Sequence, residues 1–119
     1  MALDRLATSD RFPYLTVGVA VREVTAQVET LLDTGFDGFL ALPEGTVSGG
    51  LEPDNYLQWT LADGSRVTAR AYFGVVQIGS TQIPQAVIIE LGDEPILGRR
   101  VIERFRVVLD HGQQVIFER

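Results

Sequence analysis

The triplet Asp33-Thr34-Gly35 follows directly on an apolar run ending in Leu31-Leu32. A carboxylate at the end of a buried strand rides on a rigid element. A glycine two residues later lets the backbone turn sharply and approach a ligand closely. The threonine between them offers a hydroxyl that can bond neighbouring backbone and stiffen the loop. Asp33 is therefore the candidate catalytic carboxylate, although the triplet alone also fits a polar turn closing a strand. A second element, Glu94-Pro95-Ile96-Leu97-Gly98-Arg99, places two apolar residues and a glycine ahead of a short helical stretch. Such a glycine lets its backbone pass beneath an adjacent loop. His111 is the single histidine and there is no cysteine, so a thiolate or histidine-based metal site lacks its parts, and a serine–histidine–aspartate triad would have to use a histidine that sits in a turn-like stretch. In Asp110-His111-Gly112 the histidine reads as a turn residue.

The elements that must position these residues are mostly strands. Tyr14 to Val21 alternates and is rich in β-branched residues, and Val24 to Leu32 continues after a turn at Arg22-Glu23. Phe39 to Leu42 is a short apolar run stopped by Pro43, and Gly49-Gly50 is the plainest break in the loop-like stretch up to Asn55. Tyr56 to Leu61 and Arg66 to Ile78 flank Ala62-Asp63-Gly64-Ser65. An Asp-Gly pair between two β-prone runs signals a hairpin in which both central residues tolerate positive φ. Gly79-Ser80-Thr81 turns the chain into Gln82 to Glu90, and Asp110 to Gln113 joins Phe105–Leu109 to Gln114–Phe117. Arg99 to Arg104 places Val101, Ile102 and Phe105 at helical spacing, with the arginines and Glu103 on the wet side. Trp59 and Tyr56, on the first arm of the Asp-Gly hairpin, either wall a pocket or pack on cross-strand neighbours. Asp93 and Glu94 read as solvated loop charges. The order is an apolar strand, D-T-G, a loop, an Asp-Gly hairpin, two strands, then Ile-Leu-Gly and a short helix. Many short strands at this spacing indicate one small all-β domain spanning residues 1–119.

Composition narrows the function classes. The chain has 119 residues, 45% of them apolar and 22% charged, as in ordinary globular proteins. Its net charge is −6, which disfavours a nucleic-acid backbone as partner. Arg99, Arg100, Arg104 and Arg106 do cluster, and a solvated helix face accounts for them. No apolar run approaches the ~20 residues of a membrane-spanning helix, so no membrane partner is expected. The start, Met1-Ala2-Leu3-Asp4-Arg5, lacks the charge and apolar pattern of a secretory leader. A cytoplasmic location and no cofactor are the corresponding expectations.

The order of the motifs resembles the retropepsin-type aspartic proteases, from about Pro13 to Phe117. The family's catalytic Leu-Leu-Asp-Thr-Gly matches Leu31 to Gly35, and its second apolar-apolar-Gly-Arg element matches Ile96, Leu97, Gly98 and Arg99. The stretch from Asp33 to Pro43 is also similar to small prokaryotic members of the same clan. The resemblance implies an all-β acid-protease half-barrel with one short C-terminal helix. It implies peptide-bond hydrolysis with Asp33, Thr34 and Gly35 as the catalytic segment. Phe36, Asp37 and Gly38 would contact substrate from below. The hairpin at Ala62, Asp63 and Gly64 would be the flap that closes from above. Ile96 to Arg99 would support the site structurally.

One carboxylate per chain cannot supply the two this chemistry uses, so the resemblance further implies a homodimer with Asp33 from each subunit on its axis. Asp37 and Arg99 either brace the catalytic loop against the helix or stand as separately solvated charges, and Arg11 could reach across the dimer. A metal pair made of Asp33 and Asp37 is set aside, because the pattern already accounts for both. The chain departs from the family at Phe36, where alanine or serine is usual, and in having a single flap glycine, Gly64. Those departures keep a second reading open, a catalytically weak or inactive peptide-binding and dimerisation module on the same fold.

Overall fold

The strand that carries Asp33 is held from both sides before the chain reaches the loop. In this computed structural model, which describes residues 5–47, 49 and 51–119, β2 (Tyr14–Val21) and β3 (Val24–Leu32) form an antiparallel hairpin. Residues 1–4, where the leader pattern was sought, and Gly50 of the Gly49-Gly50 break lie outside the described residues. In β2 the period of two is plain: Leu15, Val17 and Val21 are each 1% exposed while Thr16 is wet. Thr30 of β3 is fully buried, and its hydroxyl donates to the Leu15 carbonyl at 2.8 Å. That bond removes the cost of burying an unpaired polar group beside the site.

The remaining elements are β1 (Arg5–Ser9), β4 (Leu40–Leu42), β5 (Asn55–Thr60), β6 (Arg66–Ile78), β7 (Thr81–Glu90), β8 (Ile96–Leu97), α1 (Arg99–Ile102), β9 (Arg106–Asp110) and β10 (Gln114–Glu118). They form a seven-stranded sheet in the order β2-β3-β8-β4-β7-β6-β5 and a three-stranded sheet in the order β1-β10-β9. The larger core includes Leu15, Val17, Leu40, Tyr72, Ile88, Leu97, Val101 and Phe117, so it draws on both sheets and on α1. A smaller cluster of Ala41, Ala69, Ala71 and Ile89 gathers Phe36, Leu57 and Trp59 against it. Among the described residues no helix is long and apolar enough to cross a membrane.

Three elements differ from the expectation. β1 was not anticipated: Arg5–Ser9 has weak strand propensity, its pairing with β10 shifts register between Arg5 and Ala7, and the β10 edge supplies the order. The helix ends at Ile102, short of Arg104. There the chain tightens, with the Arg104 and Phe105 amides donating to Val101 and Ile102 carbonyls at 3.1 Å. The Asp-Gly hairpin uses a different turn. Gly64 has φ +87 but Asp63 is not in the positive-φ region. The Gly64 amide donates to the Leu61 carbonyl at 2.9 Å and the Leu61 amide to the Ser65 carbonyl at 2.8 Å. This is a three-residue loop of type I with a glycine bulge. The paired positive φ occurs instead at His111 (54°) and Gly112 (68°), in the turn where the histidine was expected.

Candidate active site

Strand β8 lies between the two strands that the Asp33 loop connects. Leu31 and Leu32 of β3 run parallel to Ile96 and Leu97, while Leu40 and Ala41 of β4 run antiparallel to the same pair. The chain thus leaves β3, loops over through residues 33–39 and returns on the far side of β8. Three backbone bonds fasten the loop to β8 and the start of α1: Asp33 amide to Leu97 carbonyl at 3.0 Å, Gly98 amide to Phe39 carbonyl at 3.0 Å, and Arg99 amide to Phe36 carbonyl at 2.8 Å. The Arg100 amide adds a fourth, to the Gly38 carbonyl at 3.0 Å. These bonds bring together the two motifs that lie far apart in the sequence.

Gly98 passes beneath the loop, as its type suggested. A Cβ there would collide with the Gly38 carbonyl oxygen and lie 2.6 Å from Cδ2 of Phe36. Within the loop, Asp33 is half-buried and its Oδ1 accepts from the Gly35 amide at 2.8 Å. Thr34 and Gly35 are exposed at the apex. The Thr34 hydroxyl bonds no other described group, so it does not stiffen the loop within one chain as expected.

Of the two readings of Asp37 and Arg99, the ion pair is not formed. Both side chains are exposed, and Arg99 lies 3.9 Å from Glu103, one turn along its own helix. Bracing of the loop is done by the backbone bonds to Arg99 and Arg100. Arg11 is engaged within its own chain by both oxygens of Glu29, at 2.8 and 3.1 Å. That bond holds the Glu29 carboxyl below its ordinary range. Glu94 is not a solvated loop charge: it is half-buried and accepts from the Tyr14 hydroxyl at 2.9 Å, which raises the Tyr14 pKa. The loop before β8 is thereby tied to the start of β2.

A groove of about 550 Å³ opens beside Asp33, walled by Phe36, Trp59, Leu91 and Ile96, with Ala62 of the hairpin and Arg99 also lining it. The two aromatic residues of β5 divide. Trp59 faces Phe36, with ring centroids 5.4 Å apart, whereas Tyr56 is 57% exposed. Trp59 lines the groove, the first of the two places that its position on the arm of the hairpin left open. At the hairpin, the Asp63 carboxylate accepts from the Ser65 hydroxyl (2.6 Å) and amide (2.9 Å), which lower its pKa. A separate concavity of about 460 Å³ around Gly18 is lined by Gln27, Gln77 and Gln82. Its lining holds one hydroxyl, that of Thr25, and no acid or base to activate it. Among the described residues no group of three or more acidic or histidine side chains is placed to hold a metal.

No family model and no curated protein sequence matches the chain. Solved structures do match. A crystal structure of a retropepsin-like aspartic protease from Rickettsia conorii aligns with a TM-score of 0.66 over 98% of this chain and 89% of that one, at 20% sequence identity. The chain has the retropepsin-like fold. Asp33 of the loop over β8 and Trp59 to Ala62 of the β5–β6 hairpin line the same groove.

Proposed function

We propose that the chain is one half of a homodimeric aspartic endopeptidase, its 119 residues forming one catalytic unit. The observation that carries this reading is the placement of Asp33: half-buried, on a loop clamped by four backbone bonds, and opening into a groove beneath a hairpin. Each chain offers one such carboxylate, so a second copy completes the site. Exposed Thr34 at the loop apex, with its hydroxyl unbonded, supports an approach of two such loops about a two-fold axis.

Two carboxylates ~3 Å apart cannot both ionise, so the pair shares one proton and titrates as a unit. The ionised member takes a proton from a water molecule, whose oxygen attacks the peptide carbonyl carbon. The protonated member gives its proton to the carbonyl oxygen. The resulting tetrahedral diol then collapses: the carbon–nitrogen bond breaks, the amine leaves protonated, and the shared proton is restored. An extended peptide would pair its main chain with the hairpin of β5 and β6 and place alternate side chains in the groove. Phe36, Asp37 and Gly38 would line the peptide from below, and Ala62, Asp63 and Gly64 would close from above. A cytoplasmic location, with no nucleic-acid or membrane partner, accompanies this reading.

Asp33→Asn tests it. Cleavage of a peptide library, followed by mass spectrometry, is expected to fall by at least about a thousandfold, while sedimentation still reports a dimer. Cleavage that survives the substitution would sink the proposal. A second reading, a weakly active peptide-binding module, draws on the fixed Phe36 ring beside Asp33 and the single glycine of the hairpin. It predicts peptide affinity unchanged by Asp33→Asn, and little or no cleavage by the unsubstituted chain.

A further inference from the structure

The ring of Phe36 is held on three sides. A Cβ at Gly38 would lie 2.5 Å from its Cζ, and one at Gly98 2.6 Å from its Cδ2. The two glycines therefore leave the space that the ring occupies. On the third side stands Trp59, tilted at 58° to the ring, an arrangement favoured for aromatic pairs. Phe36 is a fixed wall and not a mobile lid.

That wall separates two concavities. On one side is the Asp33 groove of about 550 Å³. On the other is a chamber of about 350 Å³ whose apolar lining is Leu57, Val87 and Ile89, with Asp37 and Arg100 contributing charge. Phe36, Asp37 and Trp59 line both, so the chamber continues the groove beyond the partition. Its volume is near the lower end of the ~300–1,000 Å³ usual for ligand pockets, which suits one large side chain. In an extended peptide, side chains two residues apart point the same way at roughly 7 Å spacing. A peptide lying in the groove would thus offer one side chain to each compartment.

Resting on the peptide-cleft reading above, we propose that Phe36 and Trp59 partition the groove into two separately walled subsites. The chamber beyond the partition takes an aromatic or large aliphatic side chain of an extended peptide. Two residues nearer the scissile bond, the peptide's next same-side residue sits in the Asp33 groove. A charged side chain gains little there: Asp37 and Arg100 are exposed at the chamber, where an ion pair is worth little, and Leu57, Val87 and Ile89 offer a charge no partner. Phe36 is then a specificity-determining residue.

Trp59 is the only tryptophan, so its fluorescence reports the chamber directly. The Asp33→Asn chain is titrated with otherwise identical peptides carrying phenylalanine, alanine or lysine at the chamber position. The phenylalanine peptide is expected to bind about tenfold more tightly than the alanine peptide, ~1.4 kcal/mol, and to shift the Trp59 emission; the lysine peptide is expected to bind no better than alanine. Phe36→Ala merges the compartments and should shrink the phenylalanine-to-alanine ratio at least threefold. Val87→Thr, nearly isosteric, places a hydroxyl in the lining and should shrink it as well, with Phe36 intact. Equal binding of the three peptides, or a ratio that survives both substitutions, overturns the proposal. Cleavage by the unsubstituted chain is scored in parallel. Selective binding without cleavage removes the protease reading and leaves the subsite, whereas cleavage without selectivity does the reverse.

Discussion

Gly98 and Gly38 owe their identity to a ring and a carbonyl, not to a turn. Gly98 has φ −100, a conformation open to any residue, yet a Cβ on it would strike the Gly38 carbonyl oxygen and the Phe36 ring. Gly98→Ala is therefore expected to destabilise by about 1–3 kcal/mol, the range for overpacking a filled site. Urea denaturation with an unchanged m-value would show it. Adding Phe36→Ala should recover part of the loss, giving a coupling energy in a double-mutant cycle, and strict additivity would contradict the contact. The importance of Gly98 was legible in the sequence because it closes an apolar-apolar-Gly element. The contact among Phe36, Gly38 and Gly98 was not, since residues distant in sequence meet there only after β8 has passed between β3 and β4. The Asp37–Arg99 pair failed for a similar reason. Glu103 is a local competitor on the same helix, and spacing cannot rank two partners for one exposed guanidinium.

Turns and edges show where local chemistry and tertiary packing part company. The hairpin of β5 and β6 was legible from Asp63-Gly64, but its turn type was decided by the Asp63 carboxylate, which accepts twice from Ser65. Those bonds favour the ionised form in the folded chain and lower the Asp63 pKa below its ordinary value of 3.8. The folded chain then binds fewer protons than the unfolded chain, so the turn's contribution is fully present above that ordinary value. It is lost as pH falls through the lowered one. Amide exchange at Ser65 and Gly64 should accelerate in that acid window. In Asp63→Asn the acceleration in this window should be absent, because the side-chain oxygen still accepts but no longer titrates. Gly64→Ala should cost about 1 kcal/mol through its positive φ alone, as nothing lies within 4 Å of a Cβ there; Gly64→Asn should cost less. β1 had no such local signature. Its strand character comes from the β10 edge, and pairing between chain ends is invisible to a reading of short windows.

For the molecule as a whole, the decisive property is that one chain carries one Asp33. Among the described residues the clamped loop, the groove and the hairpin are present, and the proposed reaction draws on a second Asp33. If catalysis needs an Asp33 from each subunit, active species scale with the square of the fraction of unsubstituted chains. Equal amounts of unsubstituted and Asp33→Asn chain, exchanged to equilibrium at fixed total concentration, should retain about a quarter of the activity. Two independent sites would retain about half. Dilution should lower activity per chain as the dimer dissociates, and peptide should restore it by binding across both halves. A linear response to mixing, with activity per chain unaffected by dilution, would mean that Asp33 acts within a single subunit. The retropepsin-like architecture would then be serving a different chemistry. A squared response would instead tie the Phe36 wall, the Asp33 loop and the hairpin of each chain to a site that only two chains can close.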